Sequence, residues 1–174
     1  MDEKTKGMLL IGAVVFLTLL LVFYSPDLDS FKNLGVLGAF LIGLVTSATV
    51  ILPLPGIALI ALMGRVLNPI SIGIAAGIGS AIGELTGYIA GYGGSSIVKD
   101  NGTYERIRKI LEKYGLFAIF IFALIPNPLF DIAGIAAGSL RLSWWRFLVV
   151  AALGKMMKFI AFAYLGDASN SLIG

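Results

Sequence analysis

Two prolines interrupt a long apolar stretch of this chain and limit what it can fold into. Pro126 and Pro128 stand between the apolar runs 116–124 and 132–140. A helix that crosses a bilayer needs about 20 apolar residues, and each run has only about half of that. Proline also removes a backbone donor and stops a helix from continuing. The pattern therefore predicts a re-entrant helical hairpin whose tip lies near the middle of a membrane.

The composition also predicts a membrane location. The chain has 174 residues, of which 58% are hydrophobic and 13% charged, and its mean hydropathy is +0.96. These values are too apolar for a water-soluble domain of this size. Cysteine and histidine are both absent from the sequence, which excludes disulfides, thiol nucleophiles, Ser-His dyads and the common zinc sites. We therefore expect an integral membrane protein that is not an enzyme and uses neither a cofactor nor a metal.

Two further apolar segments precede this hairpin. Residues 8–24 are long enough to span and predict an N-terminal transmembrane helix. A cleaved signal peptide is the alternative, although the residues that end the run are bulky. Residues 34–52 are apolar up to Pro53 and Pro55, and the short run 57–63 follows. They predict another re-entrant hairpin, with one full crossing plus an interfacial segment as the alternative.

A long helix is predicted from Asn68 to about Tyr92, because Pro69 is tolerated in a first turn. Glycine recurs there at every fourth position: Gly79, Gly83, Gly87 and Gly91. This spacing places small residues along one face, as in closely packed membrane helices. The glycines therefore predict a packing seam and not a phosphate-binding loop.

The stretch 95–114 is the one sustained polar segment. Its apolar residues recur at helical spacing: Tyr104, Ile107, Leu111 and Tyr114. The spacing predicts an amphipathic helix on the membrane surface, and a solvated connector is the alternative. A last helix is predicted from about Trp144 to Leu165, with Lys155 and Lys158 inside it.

The chain contains an internal repeat. Residues 81–90 and 152–161 align with four identical and three similar positions, and a Pro-x-Pro segment precedes each. The repeat unit is therefore a hairpin followed by a helix, doubled over residues 34–166. The expected organisation is an anchor helix and link at 1–33, repeat 1 at 34–94, an amphipathic connector at 95–114, repeat 2 at 115–166 and a short tail at 167–174.

The basic residues favour one orientation of this repeat. With the N-terminus inside the cell, only Lys32 and Arg65 lie outside. Nine others face the cytoplasm, as the positive-inside rule requires: Lys4, Lys6, Lys99, Arg106, Arg108, Lys109, Lys113, Arg141 and Arg146. A single crossing separates the hairpins, so they enter from opposite faces. We expect an all-α membrane protein built as an inverted repeat of re-entrant hairpin plus transmembrane helix, behind one N-terminal transmembrane helix.

Charged side chains fall inside the predicted membrane segments. Glu84 and Lys155 occupy equivalent positions of the two repeats. A lone charge at the bilayer centre costs at least ~2.5 kcal/mol, so each needs a partner or a wet cavity. One interpretation is a structural ion pair of Glu84 with Lys155 or Lys158, and another is that Lys158 snorkels toward the end of its helix.

The hairpin tips supply the remaining polar groups. Asn127 before Pro128 is typical of an N-cap, and Asp131 one turn later either stabilises the helix dipole or contacts a headgroup. Pro53, Pro55, Pro126 and Pro128 would shape the two tips. The predicted lipid path is lined by Thr46, Ser47, Thr49, Glu84, Asn127, Asp131 and Lys155.

The second hairpin resembles a known family. The similar residues are Ile125–Gly134 (Ile-Pro-Asn-Pro-Leu-Phe-Asp-Ile-Ala-Gly), Gly138, Trp145, Phe147 and 153–155. They resemble the VTT-domain superfamily shared with the bacterial DedA proteins, and most of all its vacuole membrane protein 1 branch. The layout extends the resemblance over about 34–166. It implies two opposed re-entrant hairpins and lipid movement between leaflets.

The branches of this family imply different activities. The resemblance implies phospholipid scrambling in one branch and polyprenyl-phosphate translocation in several DedA proteins. The DedA pattern has arginines where this chain has Ala123 and Leu129, which favours the scramblase. The alternative is a proton-coupled transporter or flippase of polyprenyl phosphate or a small anionic solute, with Glu84 or Asp131 taking the proton. A third hypothesis is a membrane organiser whose glycine seam packs a partner helix.

The expected partners are membrane lipids, either phospholipid or polyprenyl phosphate. A net charge of +3 is too small to indicate that the protein binds nucleic acid. The sequence is compatible with a homo-oligomer. The short tails favour a prokaryotic plasma membrane, with the N-terminus in the cytoplasm.

Overall fold

The computed structural model describes residues 28–48, 56–94, 102–127 and 129–173, without the side chains of 28–31 and 170–173. These residues form helices and no strand, which confirms the all-α prediction for this part of the chain. The helices are α1 Leu28–Ala48, α2 Gly56–Gly64, α3 Pro69–Gly83, α4 Leu85–Tyr92, α5 Gly102–Tyr114, α6 Leu116–Leu124, α7 Phe130–Ser139 and α8 Trp144–Ile173. The predicted anchor helix, Thr49, Pro53, Pro55 and Pro128 lie outside the described residues.

Two of the described helices are long and apolar enough to cross a membrane: Pro69–Tyr92, which joins α3 and α4, and Trp144–Ser169 within α8. Asn68 caps the first, since its side-chain oxygen accepts the Ser71 N–H at 3.0 Å. The second continues to Ile173, past the predicted end. The sequence has no proline after position 165 to end the helix, and Gly166 packs against the backbone of Ala61. The segment 167–174, predicted as a short tail, is therefore helical up to Ile173.

Three other helices are too short to cross. α2 and α6 have nine residues each and α7 has ten. At about 1.5 Å per residue, each is about half as long as the ~30 Å hydrocarbon core. The two limbs predicted on either side of Pro126 are therefore separate short helices, and Pro126 lies exposed in the connection between them.

The predicted link before the first hairpin is partly helical. α1 begins at Leu28, and its backbone leaves the helical region only at Gly35, with φ 55° and ψ −153°. Glycine adopts this conformation at little cost, whereas other residues rarely do. The expected boundary at 33/34 therefore falls inside α1. The boundary was predicted from the change from polar to apolar residues at position 34. Polar residues can also form a helix, so this change did not mark the start of α1.

The helices of the two predicted repeats interlock. α3 and α8 pack together at the centre, α1 lies along α3, and α6 lies along α8. The short helix that follows each proline segment contacts the long helix of the other half. α2 packs on α8, and α7 packs on α4. Phe147 of α8 is fully buried between Tyr88 and Phe130, with ring centroids 5.3 and 6.3 Å away. Buried residues of both halves therefore pack together in two apolar clusters, one around Phe147 and the other around Ile60 and Phe159.

The predicted glycine seam packs against the chain's own helices. Gly79 and Gly83 face the α1 backbone, while Gly87 and Gly91 face the α7 backbone. The seam is thus divided between two neighbours and leaves no room for a helix from a partner protein, contrary to the third hypothesis. A second close approach was not predicted: at Gly73 and Gly77 the backbone of α8 comes close to α3.

The amphipathic prediction is confirmed in α5, but its apolar face covers protein. Tyr104, Ile107 and Leu111 are buried, and α5 packs on α6 and α7. The Tyr104 hydroxyl and Ser139 Oγ are 2.7 Å apart. The sequence had indicated that this face inserts into the membrane surface. Because the face packs on protein, it is not available for that insertion. Tyr114, at the end of the stripe, is 52% exposed.

Candidate functional site

A buried ion pair lies at the centre of the molecule. The Lys155 ammonium on α8 is 2.5 Å from the Glu84 carboxylate, and the two residues are 3% and 4% exposed. Glu84 occupies the junction of α3 and α4. Its N–H donates to the Ser80 carbonyl and its carbonyl accepts the Tyr88 N–H, both at 3.1 Å. The helix therefore passes Glu84 almost without interruption, and the sequence-predicted pair forms with Lys155 and not with Lys158.

Lys155 has two further partners. Its ammonium donates to Ser80 Oγ at 2.7 Å and to Ser47 Oγ at 3.2 Å, and the two serine oxygens are 2.5 Å apart. With Glu84, these bonds use all three N–H donors of the ammonium. The network joins α1, α3 and α8. Ser80 was not predicted from the sequence, although it lies one helical turn before Glu84 and so shares its face.

Thr46 also has its hydrogen bond satisfied within the protein. Its hydroxyl lies 2.7 Å from the Ile42 carbonyl and 3.2 Å from the Gly43 carbonyl, one turn earlier in α1. The side chain nevertheless lies at the edge of the polar region.

Asn127 does not cap α7, contrary to the prediction. Its amide nitrogen donates to the carbonyls of Phe122 and Ile125 at 3.0 and 2.9 Å, and its oxygen accepts the Leu129 N–H at 2.9 Å. α7 begins only at Phe130. The side chain instead links the end of α6 to the connecting segment. Hydrogen bonds to nearby backbone groups thus compete with capping of α7 for the same Asn127 side chain.

Asp131 and Lys158 differ from the other charged groups of this region. Asp131 lies in the first turn of α7, as predicted, and is partly buried. Its carboxylate makes neither a hydrogen bond nor an ion pair within the described ranges. Lys158 is also partly buried, and its ammonium lies 5.3 Å from the centroid of the Phe159 ring. It faces the interior of the protein and does not extend toward the end of its helix.

A cavity of about 200 Å³ connects these side chains. Its polar and charged lining consists of Thr46, Ser47, Ser80, Glu84, Asn127, Asp131, Lys155 and Lys158, and its remaining lining of Gly56, Ile57, Phe130 and Phe159. The structure thus brings together all the predicted path residues that it describes. Two carboxylates and two ammonium groups balance in charge. Across the described part of the chain, no group of three acidic residues could hold a metal ion.

The cavity lies where short helices meet long ones. Its lining comes from the end of α1, the start of α2, the middle of α3, the start of α7 and the middle of α8. Such an arrangement can hold water and a small polar or charged group among otherwise apolar helices. The balanced charges and the small volume of the cavity favour binding or passage of a polar group.

The sequence is similar to known proteins. The family model of the VTT domain matches residues 54–168. Vacuole membrane protein 1 homolog of Dictyostelium discoideum is 41% identical over 51 residues, which are 29% of this chain and 13% of that protein. Vacuole membrane protein 1 of Homo sapiens is 43% identical over 49 residues, 28% of this chain and 12% of that protein.

A plant relative shows the same partial likeness. Vacuole membrane protein KMS1 of Arabidopsis thaliana is 36% identical over 44 residues, 25% of this chain and 11% of that protein. The matched segment therefore spans less than a seventh of each of these relatives. No solved structure matches the chain.

Proposed function

Since this chain belongs to the VTT-domain family and is an integral membrane protein, we propose that it moves phospholipids between the leaflets of a bilayer without an energy source. The match to the VTT-domain model confirms the resemblance that was seen around the second predicted hairpin. The observation that carries the proposal is the polar cavity, which places four charged side chains among apolar helices. The names of the matched relatives state a membrane location and no transported molecule.

We place the pairs α1–α2 and α6–α7 in the membrane as two re-entrant hairpins that enter from opposite faces. The packing supports this placement, because α1 contacts α3 as α6 contacts α8, and α2 contacts α8 as α7 contacts α4. Exchanging the two halves maps one set of contacts onto the other, as expected for an inverted repeat. The cavity would then lie near the midplane, between the two tips.

The cavity offers a headgroup what the hydrocarbon core lacks. A charged group in hydrocarbon costs at least ~2.5 kcal/mol, and a polar cavity lowers that barrier. In this proposal the headgroup passes along the cavity lining while the acyl chains stay in lipid. No step consumes energy, so the direction follows the concentration difference between leaflets.

A leaflet-exchange assay tests the function. Purified protein is reconstituted in phosphatidylcholine vesicles with a trace of acyl-chain-labelled fluorescent phosphatidylcholine, and the outer leaflet is bleached by a membrane-impermeant reductant. We expect bleaching to continue into the inner-leaflet pool at a rate proportional to protein content, with or without a pH gradient. A rate equal to that of protein-free vesicles would refute the proposal.

One observation favours a second function, a proton-coupled transporter of an anionic solute or polyprenyl phosphate. Within the described residues the Asp131 carboxyl group has no hydrogen bond or ion pair, and its cavity also holds Lys155 and Lys158, so it could take a proton while a lysine holds an anion. Exchange or uptake that stops when the pH gradient is collapsed would support this function over passive scrambling.

Which membrane of the cell contains the protein is not determined by its relatives. The relatives named above are eukaryotic, so they give no support to the prokaryotic plasma membrane that the sequence had indicated. The cytoplasmic N-terminus stays a prediction from the distribution of Lys and Arg.

A further inference from the structure

The cavity lining divides into satisfied and unsatisfied groups. Of the eight polar or charged side chains, six are held by hydrogen bonds inside the protein: Thr46, Ser47, Ser80, Glu84, Asn127 and Lys155. Within the part of the chain that the structure describes, Asp131 and Lys158 have neither a hydrogen bond nor an ion pair. The cavity lining therefore contains a hydrogen-bonded framework of six side chains and one pair of opposite charges, Asp131 and Lys158, without such bonds in the described part of the chain.

The Asp131–Lys158 pair is the part of the cavity that can bind a ligand. A group whose hydrogen bonds are satisfied gains little from a new partner, whereas an unpaired charge in an apolar surrounding gains most. Asp131 projects from α7 and Lys158 from α8, and both line the same cavity. A group held between them meets a carboxylate on one side and an ammonium on the other.

Lys155 cannot take the place of Lys158 in this role. Its ammonium already contacts Glu84, Ser47 and Ser80, so a phosphate would have to displace one of these partners. Lys158 lies three residues further along α8, on a neighbouring part of the same face. It presents a cation to the cavity without breaking the framework.

We propose, on the basis of the lipid-exchange function above, that Asp131 and Lys158 form a site for zwitterionic phospholipid headgroups. The Lys158 ammonium pairs with the lipid phosphate, and the Asp131 carboxylate pairs with the headgroup ammonium. An anionic headgroup that lacks an ammonium, such as phosphoglycerol, leaves Asp131 unpaired beside a second negative charge. The site therefore discriminates through an unfavourable contact as well as a favourable one.

Headgroup-dependent exchange tests this site. The vesicles contain trace amounts of phosphatidylcholine, phosphatidylethanolamine or phosphatidylglycerol, each labelled on an acyl chain so that the headgroup is unaltered. We expect the first two to exchange about tenfold or more faster than phosphatidylglycerol, because a like charge in a site is strongly unfavourable. Equal rates for all three probes would overturn the site and leave the scramblase standing.

Isosteric variants assign the two charges. Asp131→Asn should raise the phosphatidylglycerol rate toward that of phosphatidylcholine, and Lys158→Gln should slow all three probes because each carries a phosphate. Asp167→Asn is the matched control, since Asp167 is exposed on α8 and does not line the cavity. The ratio of two probes does not depend on how much protein is folded. An unchanged ratio in Asp131→Asn would contradict the assignment.

Two outcomes separate this inference from its alternatives. Absence of exchange for every probe would remove the proposed function, and this site with it. Soluble glycerophosphocholine carries the same phosphate and ammonium without acyl chains, and we expect vesicles loaded with it to retain it. Its release by wild type but not by Asp131→Asn would show that the site accepts a solute and would overturn the assignment to lipid.

Discussion

Glu84 and Lys155 are 71 positions apart in sequence, and their charged groups lie 2.5 Å apart in the centre of the fold. The pair links the junction of α3 and α4 to α8, and Lys155 extends the link to Ser47 of α1. Burying two charges is costly, and their attraction offsets this cost only while both are present. We therefore assign the pair to the framework that shapes the cavity.

The first prediction concerns the stability of this pair. Lys155→Met leaves the Glu84 carboxylate buried and unpaired, so it should lower the free energy of unfolding by about 3–5 kcal/mol. The double variant Glu84→Leu/Lys155→Met removes both charges and should recover most of this loss. Thermal unfolding in detergent, followed by circular dichroism, measures both. A double variant that is less stable than Lys155→Met would contradict the structural role.

The second prediction compares two glycines of the seam. A methyl group at Gly91 would overlap the backbone of Ile135, whereas at Gly87 it would lie 3.6 Å from the Asp131 carbonyl, an ordinary contact. Gly91→Ala should destabilise the protein by about 1–3 kcal/mol through overpacking. Gly87→Ala should be neutral, or stabilising by up to ~1 kcal/mol through helix propensity. Similar melting temperatures for the two variants would show that α7 does not approach α4 as described.

The third prediction tests whether α5 packs on protein. Ile107 is 3% exposed and Ile110 is 38% exposed on the same helix. Ile107→Ala should cost about 2–5 kcal/mol, and Ile110→Ala should cost less than half as much, because a surface change removes few contacts. Unfolding in detergent gives the comparison. Equal losses would indicate that α5 lies on the membrane surface, as its sequence alone had suggested.

Sequence features predicted the parts of the fold that local chemistry controls. Asn68 and Pro69 marked the start of the long helix, and the glycines at every fourth position marked close packing. The charged residues predicted the need for a partner, because an unpaired charge in a membrane is costly. They did not identify which lysine would serve, since Lys155 and Lys158 are less than one turn apart.

The remaining features depend on contacts between distant segments. Ser80 gained its role from Lys155 on another helix, and a lone serine in an apolar helix carries no signal of that. Asn127 had the pattern of a cap, but its amide also reaches the Phe122 carbonyl, and these bonds fix it before α7 begins. The apolar face of α5 was visible in sequence, whereas the surface that covers it was not.

If lipid headgroups pass through the cavity, then reversibly blocking the cavity should reversibly stop leaflet exchange. The sequence contains no cysteine, so Thr46→Cys introduces a single thiol at the cavity lining. Thr86→Cys is the matched control, because Thr86 also bonds to a carbonyl one turn earlier but is exposed outside the cavity.

Leaflet exchange is measured before modification with a bulky methanethiosulfonate, after modification, and again after dithiothreitol removes the added group. We predict that modification of Thr46→Cys abolishes exchange, that reduction restores it, and that Thr86→Cys is unaffected throughout. Complete modification of Thr46→Cys, verified by mass spectrometry, with an unchanged exchange rate would show that headgroups do not pass through this cavity.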